Sequence, residues 1–115
     1  MIYPSEDWEQ TQLVLWLEAH DYKFSAIPSS TFTRSWSQKA KNTRTGLRKG
    51  LPDLLIVLKR KRLLFLEMKK VKGGKLSPEQ KEWIETLNLC RVYATVAKGL
   101  EEAKKEIERY ENLVD

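Results

Sequence analysis

Asp53, Glu67 and Lys69 are the residues of this 115-residue chain whose types and spacing could do chemistry. Two short apolar runs, residues 54–58 and 63–68, flank Lys59, Arg60, Lys61 and Arg62, which is the pattern of a β-hairpin. Centring the turn on Arg60 pairs residues whose numbers sum to 120, so Asp53 faces Glu67 across the hairpin, with Cβ atoms roughly 5 Å apart. A register offset by one or two residues is also compatible with the sequence. Two carboxylates opposed in a sheet repel each other. They become favourable with a divalent cation between them, and hard oxygen donors suit Mg2+ or Mn2+. Glu67 and Lys69 are two residues apart and share a strand face, whereas Lys70 points to the other one. Lys69 therefore brings a positive charge to the same place, near a metal-bound water or a phosphate.

The elements that must position these groups are legible in outline. Residues 5–20 read as a helix, with Ser5 as N-cap and Glu6 and Asp7 in the first turn, where the helix dipole favours negative charge. Leu13, Trp16, Leu17 and His20 recur at helical spacing, and Glu6 and Gln10 extend the same face backwards. Residues 22–27 read as a strand ended by Pro28. Residues 31–50 are polar, basic and poorly periodic, and read as a long loop with at most some helix; such loops are often functional. After the hairpin, Gly73 and Gly74 mark a turn. Ser77, Pro78 and Gln80 then open a helix through a capping box. Residues 91–96 read as a strand, and Leu100, Ala103, Ile107 and Tyr110 mark a last amphipathic helix. The order α-β-β-β-α-β-α describes an α/β domain, a central mixed β-sheet flanked by helices, spanning residues 1–115 as one unit.

Charge is distributed unevenly. From Arg34 to Lys72 there are thirteen basic residues against Asp53 and Glu67 alone, while the chain as a whole carries +5. A basic centre is the footprint of a polyanion-binding protein, most often one that binds nucleic acid. Arg34, Trp36, Lys39, Lys41, Arg44, Arg48 and Lys49 form the expected contact segment, with Trp36 able to stack on a base or wedge a junction. The hairpin turn at residues 59–62 is expected to hold phosphates as well. Trp8, Trp16 and Trp83 fit helix core faces. One cysteine excludes an internal disulfide, and His20 and Cys90 make no nucleophile–base pair evident in the sequence. No apolar run approaches the roughly 20 residues of a membrane helix, and no secretory leader is evident. The expectation is an intracellular, cytoplasmic setting with no membrane partner.

The motifs Gly50-Leu51-Pro52-Asp53, Glu67-Met68-Lys69 and Ser77-Pro78-Glu79-Gln80 occur in order, each on a suitable element. Together they resemble the VRR-NUC group of the PD-(D/E)XK nuclease superfamily, over about residues 5–106. The resemblance implies a restriction-endonuclease-like core and metal-dependent hydrolysis of DNA phosphodiesters. Carried over by position, Asp53 and Glu67 would bind Mg2+ or Mn2+ with the Met68 carbonyl, and Lys69 would orient or help deprotonate the attacking water. The helix acid falls on Glu6, which keeps Gln10 and Leu13 in place, with Glu9 one turn along as the competing choice. Gln80 would lie near the site. The compact members of the group look like Holliday-junction resolvases, which implies branched or junction DNA as substrate and a homodimer. Two other readings stand beside this one: a non-catalytic nucleic-acid-binding module with the same fold, and an interaction domain for an acidic protein. Neither gives the opposed carboxylates and Lys69 as clear a role.

Overall fold

The computed structural model describes residues 2–28 and 35–113. Eight elements follow one another: α1 (Glu6–Ala19), β1 (Lys23–Ala26), α2 (Trp36–Arg44), β2 (Leu54–Val57), β3 (Leu63–Lys69), α3 (Pro78–Asn88), β4 (Tyr93–Lys98) and α4 (Leu100–Glu111). The four strands form one sheet in the order β1-β2-β3-β4. β1, β2 and β3 are successively antiparallel, and β4 joins parallel to β3 after the α3 crossover.

The hairpin register is the one expected. Leu54 pairs with Leu66 and Ile56 with Leu64, each summing to 120. Strand periodicity then sends Leu54, Ile56, Leu64, Leu66 and Met68 to one face, where they are fully buried against Leu13 and Leu17 of α1 and Ala103 and Ile107 of α4. Each buried leucine or isoleucine contributes about 2 kcal/mol of hydrophobic stabilisation. The odd-numbered residues, Glu67 and Lys69 among them, face the other side of the sheet. Among the described residues α3 is the helix that covers that side, and it has no fully buried residue of its own. The fold therefore has one sealed face and one accessible face, and the chemical groups lie on the accessible one.

Two elements differ from the sequence expectation. Residues 36–44 form α2 within the stretch read as a long loop with some helix, which adds an element to the expected order and makes it α-β-α-β-β-α-β-α. Ser35 caps this helix, its Oγ accepting from the Gln38 amide at 3.2 Å. Nothing on α2 is buried, so hydrophobic periodicity had no face to reveal. The last strand begins at Tyr93 rather than residue 91, because Arg91 adopts a left-handed φ of 62° in the turn after α3.

The hairpin turn, expected to hold phosphates, lies at the end of β2 and β3 away from Asp53, and Lys59, Arg60 and Arg62 are engaged within the fold. Lys59 Nζ donates to the carbonyls of His20 (2.8 Å) and Asp21 (2.7 Å) and sits 4.5 Å from the Tyr22 ring centroid. Arg60 donates to the Glu111 and Leu113 carbonyls. Arg62 lies over Tyr93 at 5.0 Å and donates to the Arg91 carbonyl. Among the tryptophans, Trp16 packs on the core and Trp83 is half-buried, but Trp8 is 50% exposed, contrary to the core position expected for it.

Candidate active site

Asp53 stands immediately before β2, and its Oδ2 accepts from the Met68 amide at 2.8 Å. The register places Pro52 opposite Met68, and a proline has no N–H to offer the Met68 carbonyl. The N–H and C=O of a strand residue point to the same edge, so the Met68 carbonyl also turns toward this corner of the sheet without a donor from Pro52. Pro52 thus both ends the ladder and leaves a backbone oxygen beside Asp53.

The Gly50 turn ahead of Pro52 is held against α3. Gly50 has φ 97°, and a Cβ there would lie 2.7 Å from the Glu79 carbonyl carbon, so only glycine allows this approach. Trp83 completes the contact by donating Nε1–H to the Lys49 carbonyl at 3.0 Å. The loop carrying Asp53 and the helix carrying Gln80 are therefore fixed relative to each other.

Glu67 is the centre of the arrangement, with only 2% of its surface exposed. Its Oε2 accepts from Gln80 Nε2 at 3.2 Å and lies 3.4 Å from Lys69 Nζ. Its Oε1 is buried and has no hydrogen-bond partner among the described residues. Gln80 is held at both ends: its Oε1 accepts from the Ser77 backbone N–H at 2.8 Å while its backbone N–H donates to Ser77 Oγ at 3.1 Å. The capping box thus orients the amide group that holds Glu67. α1 packs on the sealed face, and its first turn reaches over the end of the sheet to add Glu6. Ligand oxygens of Glu6, Asp53 and Glu67 all lie within 4.8 Å of one another.

Three carboxylates at this separation cannot all be comfortable as anions. Burial, then the neighbouring Asp53 charge, pushes the Glu67 carboxyl up to about 8, against the lowering pull of Lys69. Burial also raises Glu6, opposed by Lys69 and reinforced by Asp53. A buried carboxylate oxygen without a donor, flanked by two more carboxylates, has the chemistry of a site for a hard divalent cation. The residues present fit such an ion.

The structure separates Glu6 from Glu9. Glu9 is buried at 5% exposure, but its Oε2 accepts from the Leu100 amide at 2.5 Å, capping α4. Gly99 precedes that helix and supplies no capping side chain, so Glu9 does this work from a distance in sequence. Sequence reading missed this role, and no local signal marks it.

Of the expected nucleic-acid contacts, Trp36, Lys39, Lys41, Arg44, Arg48 and Lys49 are all exposed on α2 and the loop after it, while Arg34 lies outside the described residues. Trp36 is 83% exposed, with Lys39 Nζ 5.3 Å from its ring centroid. Arg48 is partly committed to the Thr43 and Leu47 carbonyls, both at 3.1 Å.

A mixed sheet with helices on both faces, carrying Pro-Asp at the start of one strand and Glu-X-Lys on the next, defines a restriction-endonuclease-like, nuclease-type domain. The VRR-NUC domain model matches residues 3–101, and the chain belongs to that family. A solved structure described as a VRR-NUC domain protein is 30% identical with a TM-score of 0.80, covering 100% of this chain and 94% of its own. Another, described as a VRR-NUC domain, is 23% identical with a TM-score of 0.68, covering 93% of this chain and 99% of its own, and supports the fold. No curated protein matches the chain.

Proposed function

We propose that residues 1–115 form a single-domain, metal-dependent DNA endonuclease that hydrolyses phosphodiester bonds, with branched or junction DNA as its preferred substrate. The observation that carries this reading is the orphaned Oε1 of buried Glu67, set among oxygens of Glu6 and Asp53. Glu6, Asp53, Glu67 and the Met68 carbonyl would hold Mg2+ or Mn2+. When bound, a divalent cation supplies charge neutralisation at the scissile phosphate and Lewis acidity toward water.

The chain's own groups do the rest. Lys69, only 12% exposed and held by Glu67, orients the attacking water and places a positive charge where the phosphoryl group gathers negative charge. Gln80 keeps the Glu67 carboxylate turned toward the site. Pro52 and Gly50 fix the position of Asp53 as described. Exposed Trp36, Lys39, Lys41, Arg44, Arg48 and Lys49 contact the substrate, the cations through phosphates and Trp36 through a base. Phosphate contacts carry no sequence information, and no separate reading element is present among the described residues, which favours recognition of DNA structure. Symmetric cutting of a junction needs two active sites, which a homodimer provides. No helix among the described residues is long and apolar enough to cross a membrane. An intracellular, cytoplasmic setting fits a DNA substrate.

The test is cleavage of labelled four-way junction, flap, duplex and single-stranded DNA with Mg2+, Mn2+ or EDTA. Metal-dependent cutting that Asp53→Ala and Lys69→Ala both abolish is the expected result. DNA binding without cutting under every metal condition would replace the enzyme by a binding module. Cutting that survives both substitutions would place the active site elsewhere.

A further inference from the structure

Beside the carboxylate corner lies a second feature that the proposed chemistry does not use. A cavity of about 370 Å³ opens between the ends of β3 and β4 and the start of α3, lined by Lys69, Lys75, Lys81 and Lys98 over Gly74, Leu76 and Val96. The sequence gives no hint of it, because its lysines come from a strand end, a turn, a helix start and another strand end. The fold gathers them. Lys69 and Lys98 are register partners on neighbouring parallel strands, and Val96 is the register partner of Glu67. The cavity therefore adjoins the carboxylate corner and shares Lys69 with it. Gly74 permits the turn to close over it, since a Cβ there would lie 2.8 Å from Lys69 Cβ.

Lys69 is paired with Glu67, which leaves three lysines around one cavity whose like charges repel one another. No carboxylate lines the cavity, and among the described residues Lys75, Lys81 and Lys98 form no ion pair. An anion would relieve the repulsion, as a cation does for the carboxylates next door. We propose that Lys75, Lys81 and Lys98, with Lys69, form a phosphate subsite that holds a backbone phosphodiester next to the scissile one on the same DNA strand. This rests on the nuclease reading for the words "next to the scissile one", while the binding of phosphate does not depend on it. The subsite would fix which bond is presented to Glu67 and Lys69.

The experiment measures DNA binding in EDTA, so that catalysis plays no part. It compares wild type with Lys75→Ala/Lys81→Ala/Lys98→Ala and with a control of equal charge change, Lys23→Ala/Lys61→Asn/Lys105→Ala, remote from the cavity. Asparagine is chosen at Lys61 because φ there is 66°. The cavity variant is expected to bind about 10-fold more weakly or worse, with the salt dependence reduced by about one phosphate contact. The control should lose little.

A second arm walks one neutral methylphosphonate along the cleaved strand. Wild type should lose affinity at a phosphate adjacent to the cut site, and the cavity variant should be indifferent to that position. Equal affinities of the cavity variant and the control would overturn the proposal. So would a methylphosphonate profile identical in wild type and cavity variant. Lysine-dependent competition by inorganic phosphate, with no sensitive position on DNA, would assign the cavity to a free anion and overturn the backbone contact. If Asp53→Ala left cleavage intact while the binding result held, the active-site reading would fail and the phosphate subsite would stand.

Discussion

Replacing Glu67 by glutamine removes one charge from a crowded, buried place and keeps nearly the same shape. The metal-free protein should become more stable, although the substitution disables its active site. In the folded chain the Glu67 carboxyl ionises near 8, against an ordinary 4.5, chiefly because of burial and then the Asp53 charge. A carboxyl raised in this way favours the folded state fully below about pH 4.5 and loses that contribution as the pH climbs toward 8. With a tenfold shift in equilibrium per pKa unit, ionised Glu67 costs on the order of 3 kcal/mol more at about pH 8 than at about pH 5. The E67Q protein does not titrate here, and its amide oxygen can still accept from Gln80. It does lose the ion pair with Lys69, which offsets part of the gain. The net expectation is a variant more stable than wild type by roughly 1–3 kcal/mol at pH 8 in EDTA, with the difference shrinking toward pH 5. Urea denaturation of both proteins at the two pH values measures this directly, and the comparison cancels the titrating groups remote from Glu67. Adding Mn2+ should stabilise wild type and leave E67Q unmoved. A variant less stable than wild type at pH 8, or a difference independent of pH, would refute the claim that Glu67 is an uncompensated buried acid.

Other expectations follow from the same geometry. Glu9→Ala should cost about 1–2 kcal/mol through loss of the α4 cap, seen as a lower thermal midpoint, while cleavage below that midpoint persists. Glu6→Gln should do the reverse, sparing stability and abolishing stabilisation by Mn2+, and calorimetric titration with the metal distinguishes the two. Gln80→Ala should cost about 1 kcal/mol from the capping box and reduce cleavage of junction DNA severalfold at a temperature where both proteins are folded, because Glu67 loses its donor. Trp36→Ala should leave the urea midpoint unchanged, since the ring is 83% exposed. It should weaken binding to DNA with unpaired bases by about 1–3 kcal/mol, which fluorescence anisotropy on flap and duplex probes would resolve.

Much of the site was readable from the sequence because it depends on short-range periodicity. Two apolar runs around a four-residue basic turn mark the hairpin, centring the turn on Arg60 puts Asp53 opposite Glu67, and the structure selects that register over the neighbouring ones. The capping box of Ser77 and Gln80 is equally local, since its partners are three residues apart. Tertiary structure decided the rest. Glu6 and Glu9 lie one turn apart on the same helix, so helical spacing treats them alike. Glu9 is claimed by the Leu100 amide and Glu6 by the carboxylate corner only because α4 and the end of the sheet arrive where they do. Lys59 and Arg60 have the composition of a phosphate clamp, yet carbonyls at the end of α1 and at the C-terminal end of α4 engage them. Lys75, Lys81 and Lys98 are unremarkable in sequence and become a cavity wall only once β4 lies parallel to β3. A backbone period determines which way a side chain points within its own element. What it meets there is determined by the packing of elements far apart in the chain, which no local pattern encodes.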